Sequence, residues 1–236
     1  MKISLTDAGK RFNRDWIFRH LHYEFESGQS YAIIGPNGSG KSTLLQVLSG
    51  AMLVSEGAIQ WEVDNKQLAI GNWQETTGNR QQAMVNNAKE TNEQLASEDV
   101  YQQISICAPY LDLVEEMNLK EFLEFHKGFK SFLPGLAVAK IISIIGLEKS
   151  VHKQIRNYSS GMKQRVKLAQ AIFSDTPVLL LDEPCTNLDL NGIELYNRCI
   201  TDYCKNKLII VSSNDEVEYR FCKERINISD YKSSEQ

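Results

Sequence analysis

The sequence predicts an α/β fold in which short buried strands alternate with helices and end at a shared phosphate-binding edge. Three stretches predict it. Gly35-Pro36-Asn37-Gly38-Ser39-Gly40-Lys41-Ser42-Thr43 fits G-x-x-x-x-G-K-[ST], the phosphate-binding P-loop. Val178-Leu179-Leu180-Leu181 is an apolar run that ends in Asp182-Glu183-Pro184. Leu208-Ile209-Ile210-Val211 is another, ending at Ser212-Ser213-Asn214-Asp215. Short apolar runs of this kind read as parallel strands covered on both faces, and ligands gather at the carboxyl ends of such strands.

The P-loop has the context its chemistry needs. Tyr31-Ala32-Ile33-Ile34 reads as the strand entering it, after a turn at Gly28-Gln29. Thr43-Leu44-Leu45-Gln46-Val47-Leu48 reads as a buried helix that stops at Gly50. The glycines let the backbone turn tightly and aim N–H groups at an anion. Lys41 adds a point charge for the outer phosphates, the Ser42 hydroxyl suits Mg²⁺, and the helix dipole favours negative charge at this end.

Upstream, Ile3 and Leu5, then Trp16-Ile17-Phe18, then Leu21, Tyr23 and Phe25 have the period-two spacing of strands. Phe12 follows Lys10-Arg11 and precedes the P-loop. An aromatic ring there can stack on a purine base, but read by itself it is better taken as a core or edge-strand residue. Downstream, Ser55-Glu56-Gly57 is a turn and Ala58-Ile59-Gln60-Trp61 a strand. From about 66 to 99 the chain is dominated by Asn, Gln, Glu, Thr and Gly. Too little apolar surface is available there to offset ordering, so an inserted, partly disordered surface excursion is expected.

Ile104-Ser105-Ile106-Cys107 returns to strand character, and Ala108-Pro109-Tyr110 breaks it. Leu119, Phe122, Leu123 and Phe125, then Val138, Ile141, Ile142 and Ile145, recur at helical spacing on either side of Pro134-Gly135. This is a small helical insert. Tyr158-Ser159-Ser160-Gly161-Met162 opens a further helix through Phe173, with serines suited to its N-cap. Its N-terminus is a second anion-binding end, although a plain capped helix explains the same residues. Thr186-Asn187-Leu188-Asp189 forms a turn, a helix follows from about 192 to 204, and the tail after Ser229 is polar.

The chain has 236 residues and a formal net charge of -4 at pH 7, which speaks against a nucleic-acid partner. No apolar run approaches the roughly 20 residues that span a bilayer, and the N-terminus shows no signal-peptide pattern. Five cysteines without C-x-x-C spacing and four scattered histidines predict neither a zinc site nor a disulfide frame. Cys107 and Cys185 lie in or beside apolar strands; Cys199, Cys204 and Cys222 are expected in helices. Reduced cysteines in a cytosolic protein are the better reading.

The P-loop, the second anion-binding helix and the strand-terminal acid pair, in this order, make the chain resemble an ATP-binding cassette (ABC) nucleotide-binding domain over nearly its whole length. The specific marker is Tyr158-Ser159-Ser160-Gly161-Met162, similar to the family signature LSGGQ, followed by Lys163-Gln164-Arg165. The resemblance implies a P-loop NTPase (RecA-like) core with an antiparallel β subdomain and a small helical subdomain. Residues 1–107 and 158–236 would form the core and 108–157 the helical part, in a single domain.

It also implies roles. Gly35, Pro36, Asn37, Gly38, Ser39, Gly40, Lys41, Ser42 and Thr43 would hold the triphosphate of ATP. Ser42 and Asp182 would hold Mg²⁺, and Glu183 would be the general base for the attacking water. Phe12 would stack on adenine, reversing the preference above. Ser159, Ser160 and Gly161 would contact the γ-phosphate bound to a second cassette, with Asp189 at the dimer seam. The implied partners are that second cassette and a separate transmembrane permease, at the cytoplasmic face of the membrane, with a lean towards export. A soluble non-transport ATPase and a mainly ATP-binding regulatory cassette are the alternatives.

Two residues expected from the family pattern are missing. Ala108-Pro109-Tyr110 stands where a glutamine is expected, and Asn214 replaces a histidine. Asn214 can donate a hydrogen bond to a γ-phosphate oxygen but cannot carry charge, so slower hydrolysis is expected. Met162 in place of the last signature glutamine is the milder change, because the backbone and Ser160 make the main anion contacts.

Overall fold

A computed structural model describes residues 1–64, 92–94 and 99–232. The excursion expected at 66–99 lies, but for 92–94 and 99, outside the described residues. In chain order the elements are strands β1 (Lys2–Phe12), β2 (Asp15–Glu26) and β3 (Ser30–Ile34), helix α1 (Lys41–Leu48), and strands β4 (Glu56–Asp64) and β5 (Asn92–Gln94). Helix α2 (Val100–Gln103), strand β6 (Ile104–Cys107), helices α3 (Leu119–Lys127), α4 (Val138–Ile144) and α5 (Ser160–Ile172), and strand β7 (Val178–Asp182) follow. Helix α6 (Leu190–Tyr203), strand β8 (Leu208–Ser212), helix α7 (Glu216–Tyr219) and strand β9 (Glu224–Asn227) complete the order.

The strands form two sheets. One is antiparallel, in the order β2-β1-β4-β5. The other is parallel, in the order β6-β7-β8-β3-β9. The expected α/β P-loop class with an antiparallel β portion and a helical portion is thus observed. Parallel strands need cover on both faces, and the side chains show it. Leu179, Leu181 and Val211 face one core with α3 to α6, while Val178, Leu180 and Ile210 face a second core with α1 and the antiparallel sheet. Trp61 Nε1 donates to the Leu48 carbonyl at 3.0 Å, so the antiparallel sheet also satisfies the C-terminal end of α1.

The strand order positions the site. β8 lies between β3, which feeds the P-loop, and β7, which ends in Asp182. All three run the same way, so Gly35–Lys41, Asp182-Glu183 and Ser212–Asn214 emerge along one edge. In the helical portion, Asn118 caps α3 by accepting from the Glu121 N–H at 3.0 Å, and Glu121 returns a bond to the Asn118 N–H at 2.9 Å.

Cys204 is the C-cap of α6, as expected, but the expected helix at Cys222 is corrected: Cys222 lies between α7 and β9, outside any helix. The cause is that α7 is a single turn, because the chain must reverse into β9. β9 itself was not expected. Glu224-Arg225-Ile226-Asn227 reads as polar because it is an edge strand that buries Ile226 alone.

His126 supplies a stability prediction. Its Nε2 is 2.8 Å from Ser174 Oγ and its ring packs on Phe132. Burial, with Lys130 nearby, pushes the imidazole down to about 4. The unfolded chain takes up this proton at an ordinary value near 6.5, whereas the folded chain resists it down to about 4. Stability therefore falls as the pH drops through that window. The thermal midpoint of His126→Gln should decline less steeply than wild type between pH 7 and 4.5.

Candidate functional site

The site is built from the P-loop outward. Gly40 caps α1 in a left-handed conformation at φ 106°, and a Cβ there would meet Ile17 Cγ2 at 2.3 Å. Only glycine lets β2 press this closely on the loop. Lys41 is buried at 6% exposure, and its Nζ donates to the carbonyls of Gly35 at 2.8 Å and Pro36 at 3.2 Å. Burial pushes its ammonium down from the usual lysine range, and the charges of Glu183 and Asp182 pull it back. Ser39 Oγ is buried without a hydrogen-bond partner in the protein. Ile17, Asn37, Gly38, Ser39, Gly40, Lys41, Ser42, Thr43 and Glu183 line one open cleft of about 260 Å³. An orphaned hydroxyl, a lysine and a helix N-terminus converging on one cleft suit a polyphosphate.

The acid pair divides by environment. Asp182 is 3% exposed, and its Oδ1 accepts from Ser212 Oγ at 2.7 Å, across the parallel pairing of these two residues. Glu183 instead faces the cleft, with its backbone at φ 44° and its N–H donating to the Ser212 carbonyl at 2.9 Å. The hydroxyl of Ser42 and the carboxylate of Asp182 are hard oxygen donors of the kind Mg²⁺ takes together with phosphate and water. Among the described residues no group of three His, Cys, Asp or Glu side chains is placed to hold a metal.

Asn214 reaches the P-loop directly: its Nδ2 donates to Asn37 Oδ1 at 2.6 Å. Pro36 and Gly35 contribute carbonyls to Lys41 and belong to the same loop. Phe12 lies at the end of β1, 45% exposed, with Lys10 Nζ 5.4 Å above its ring. It is not among the residues lining the cleft.

Ser159, Ser160 and Gly161 also lie outside the cleft lining. Ser159 caps α5, its Oγ accepting from the Met162 N–H at 3.3 Å. A Cβ on Gly161 would meet the Asn187 carbonyl at 2.9 Å, so glycine permits the start of α5 to pack against the turn that leads to Asp189. Arg165 NH2 lies 3.4 Å from Asp189 Oδ1 in the same contact. After β6, Lys167 Nζ donates to the Pro109 carbonyl at 3.0 Å. Tyr110 stands next in the chain, half-exposed, with its hydroxyl on the side of Gln46 of α1.

Sequence reasoning missed two residues beside the acid pair. Gln164 and Glu218 are each 5% exposed and bond to the backbone just after Glu183. Gln164 carried a weak signal, being a polar residue one helical turn before the apolar position Leu168. Glu218 carried none, since an acid in a short surface-like helix looks solvated.

The fold and cleft together define a P-loop nucleotide-binding protein. The ABC transporter family model matches residues 18–186, and the chain belongs to that family. The chain is 27% identical over 222 residues to the ribose import ATP-binding protein of Bacillus licheniformis, covering 94% of this chain and 41% of that protein. It is 28% identical over 239 residues to an uncharacterized ABC transporter ATP-binding protein of Bacillus subtilis, covering 96% and 66%. It is 31% identical over 193 residues to the cytochrome c biogenesis ATP-binding export protein of Xanthomonas axonopodis pv. citri, covering 82% and 77%. The chain thus spans less than two thirds of the length of the first two relatives.

Among solved structures, a putative ABC transporter ATP-binding protein from Pyrococcus furiosus aligns with a TM-score of 0.72 at 18% identity, over 99% of this chain and 100% of that one. A bacterial ABC transporter cassette solved as a dimer aligns at 0.71 and 18%, over 96% and 95%. At these identities the likeness shows the fold. No helix among the described residues is long and apolar enough to cross a membrane.

Proposed function

We propose that this chain is the ATP-hydrolysing subunit of a transporter and drives export through a separate membrane permease. The observation that carries the reading is the division of the site. Lys41, Ser42 and Glu183 share one cleft, while Ser159, Ser160 and Gly161 cap a helix outside it. Each cleft then needs the α5 end of a second cassette to cover its nucleotide. ATP holds the two cassettes together, and hydrolysis lets them part.

Within the cleft, the P-loop N–H groups and Lys41 hold the phosphates; from beside Asn37, Asn214 donates to the γ-phosphate. Glu183 accepts the proton of the attacking water. Phe12 stacks on the adenine. Ser42 and Asp182 would hold Mg²⁺, which supplies charge neutralisation on the phosphate oxygens. Residues 1–107 and 158–236 act as the nucleotide-binding core, and 108–157 as the helical portion that meets the permease, at the cytoplasmic face of the membrane.

Relatives named for both import and export support the transport reading, and the export lean rests on the signature. A second reading, a cassette that binds ATP to regulate, is favoured by Asn214 and by Pro109, in the stretch where a glutamine is expected. Recovery of the chain from detergent-solubilised membranes tests the proposal. An integral membrane protein should co-purify in stoichiometric amount; recovery with ribosomes, or alone in the soluble fraction, would contradict it.

A further inference from the structure

We propose that Gln164 and Glu218 are positioning residues that clamp Glu183 in its left-handed backbone conformation. The inference rests on reading Glu183 as the base. A residue with a Cβ at φ 44° is unfavourable by itself and persists only where its surroundings over-determine it. Here they do so on three sides. The Glu183 N–H donates to the Ser212 carbonyl at 2.9 Å, which anchors the loop to β8. The Pro184 carbonyl accepts from Gln164 Nε2 at 2.7 Å. The Cys185 N–H donates to Glu218 Oε1 at 2.7 Å.

The two clamping side chains come from different helices, α5 and α7, and both are buried at 5% exposure. A turn at a sheet edge could leave these backbone groups to water. Burying an amide and a carboxyl is costly unless each is hydrogen-bonded, and here each is bonded to the backbone that follows Glu183. Glu218 is itself held, since Tyr196 OH donates to its carbonyl at 2.9 Å. Its Oε2 is buried without a hydrogen-bond partner, and burial raises its carboxyl above the usual range. The Cys185 N–H uses Oε1 as an acceptor, a role that the side-chain oxygen of a glutamine at 218 can reproduce. The clamp acts through Glu183, whose carboxyl it aims at the cleft.

The test measures ATP turnover, ATP affinity and amide hydrogen exchange in the full chain. Gln164→Leu and Glu218→Leu should each lower turnover by up to about 10²-fold at unchanged affinity, the size expected when a reacting group is misplaced and not removed. Both should speed exchange in the peptide 181–188 and leave 36–45 unchanged, while Glu218→Gln stays near wild type in both readouts. In a Glu183→Gln background, Gln164→Leu should cause no further loss. Wild-type exchange and turnover in Gln164→Leu would overturn the clamp, as would an equal further loss in the Glu183→Gln background. If Glu218→Leu does not fold, Gln164→Leu decides alone. Wild-type turnover in Glu183→Gln would overturn the base assignment and the clamp with it; a slow Glu183→Gln beside a fast Gln164→Leu would overturn the clamp alone.

Discussion

Glu183→Gln should lower ATP turnover by about 10²–10⁴-fold, the usual range for loss of a general base. Glutamine fills the same space and keeps a polar head in the cleft, but it cannot take a proton at neutral pH. Glu183 is the carboxylate that lines the P-loop cleft, whereas Asp182 is buried behind it against Ser212. The loss should fall on turnover and leave nucleotide affinity unchanged, because the P-loop contacts stay in place. Single-turnover hydrolysis of radiolabelled ATP measures this. Turnover within twofold of wild type would place the base elsewhere.

Lys41→Ala should act on affinity as well. Lys41 is buried within the P-loop, and removing one member of a buried charge pair costs about 2–5 kcal/mol. That corresponds to a fall in ATP affinity of at least about 30-fold. Lys41 also bonds the carbonyls of Gly35 and Pro36, so the variant loosens the loop together with its charge. Titration of a fluorescent ATP analogue, with a thermal melt to check folding, reads the effect. An affinity within threefold of wild type would mean that the phosphates are held elsewhere.

The parts of the site legible in the sequence are those whose chemistry is local. A P-loop needs its glycines, lysine and serine in one short stretch, and the acid pair follows its strand directly. The fold class was legible for a related reason: strands covered on both faces must be apolar at consecutive positions, as at Val178–Leu181. Pairings set by strand order were not legible. Asn214 meets Asn37 across 177 positions, and Glu218 meets Cys185 across 33. Both depend on β8 lying between β3 and β7. Tyr110 shows the same limit, since its contact with Gln46 comes from a loop and a helix far apart in the chain. β9 was hidden by its composition, because one buried isoleucine among polar residues has no distinguishing pattern.

The division of the site between two cassettes is tested most directly by sedimentation of Glu183→Gln with and without ATP and Mg²⁺. With hydrolysis blocked, ATP should convert the chain from monomer to dimer, and Ser160→Arg in the same background should abolish the conversion without weakening ATP binding. A variant that binds ATP yet remains monomeric at every accessible concentration would contradict it.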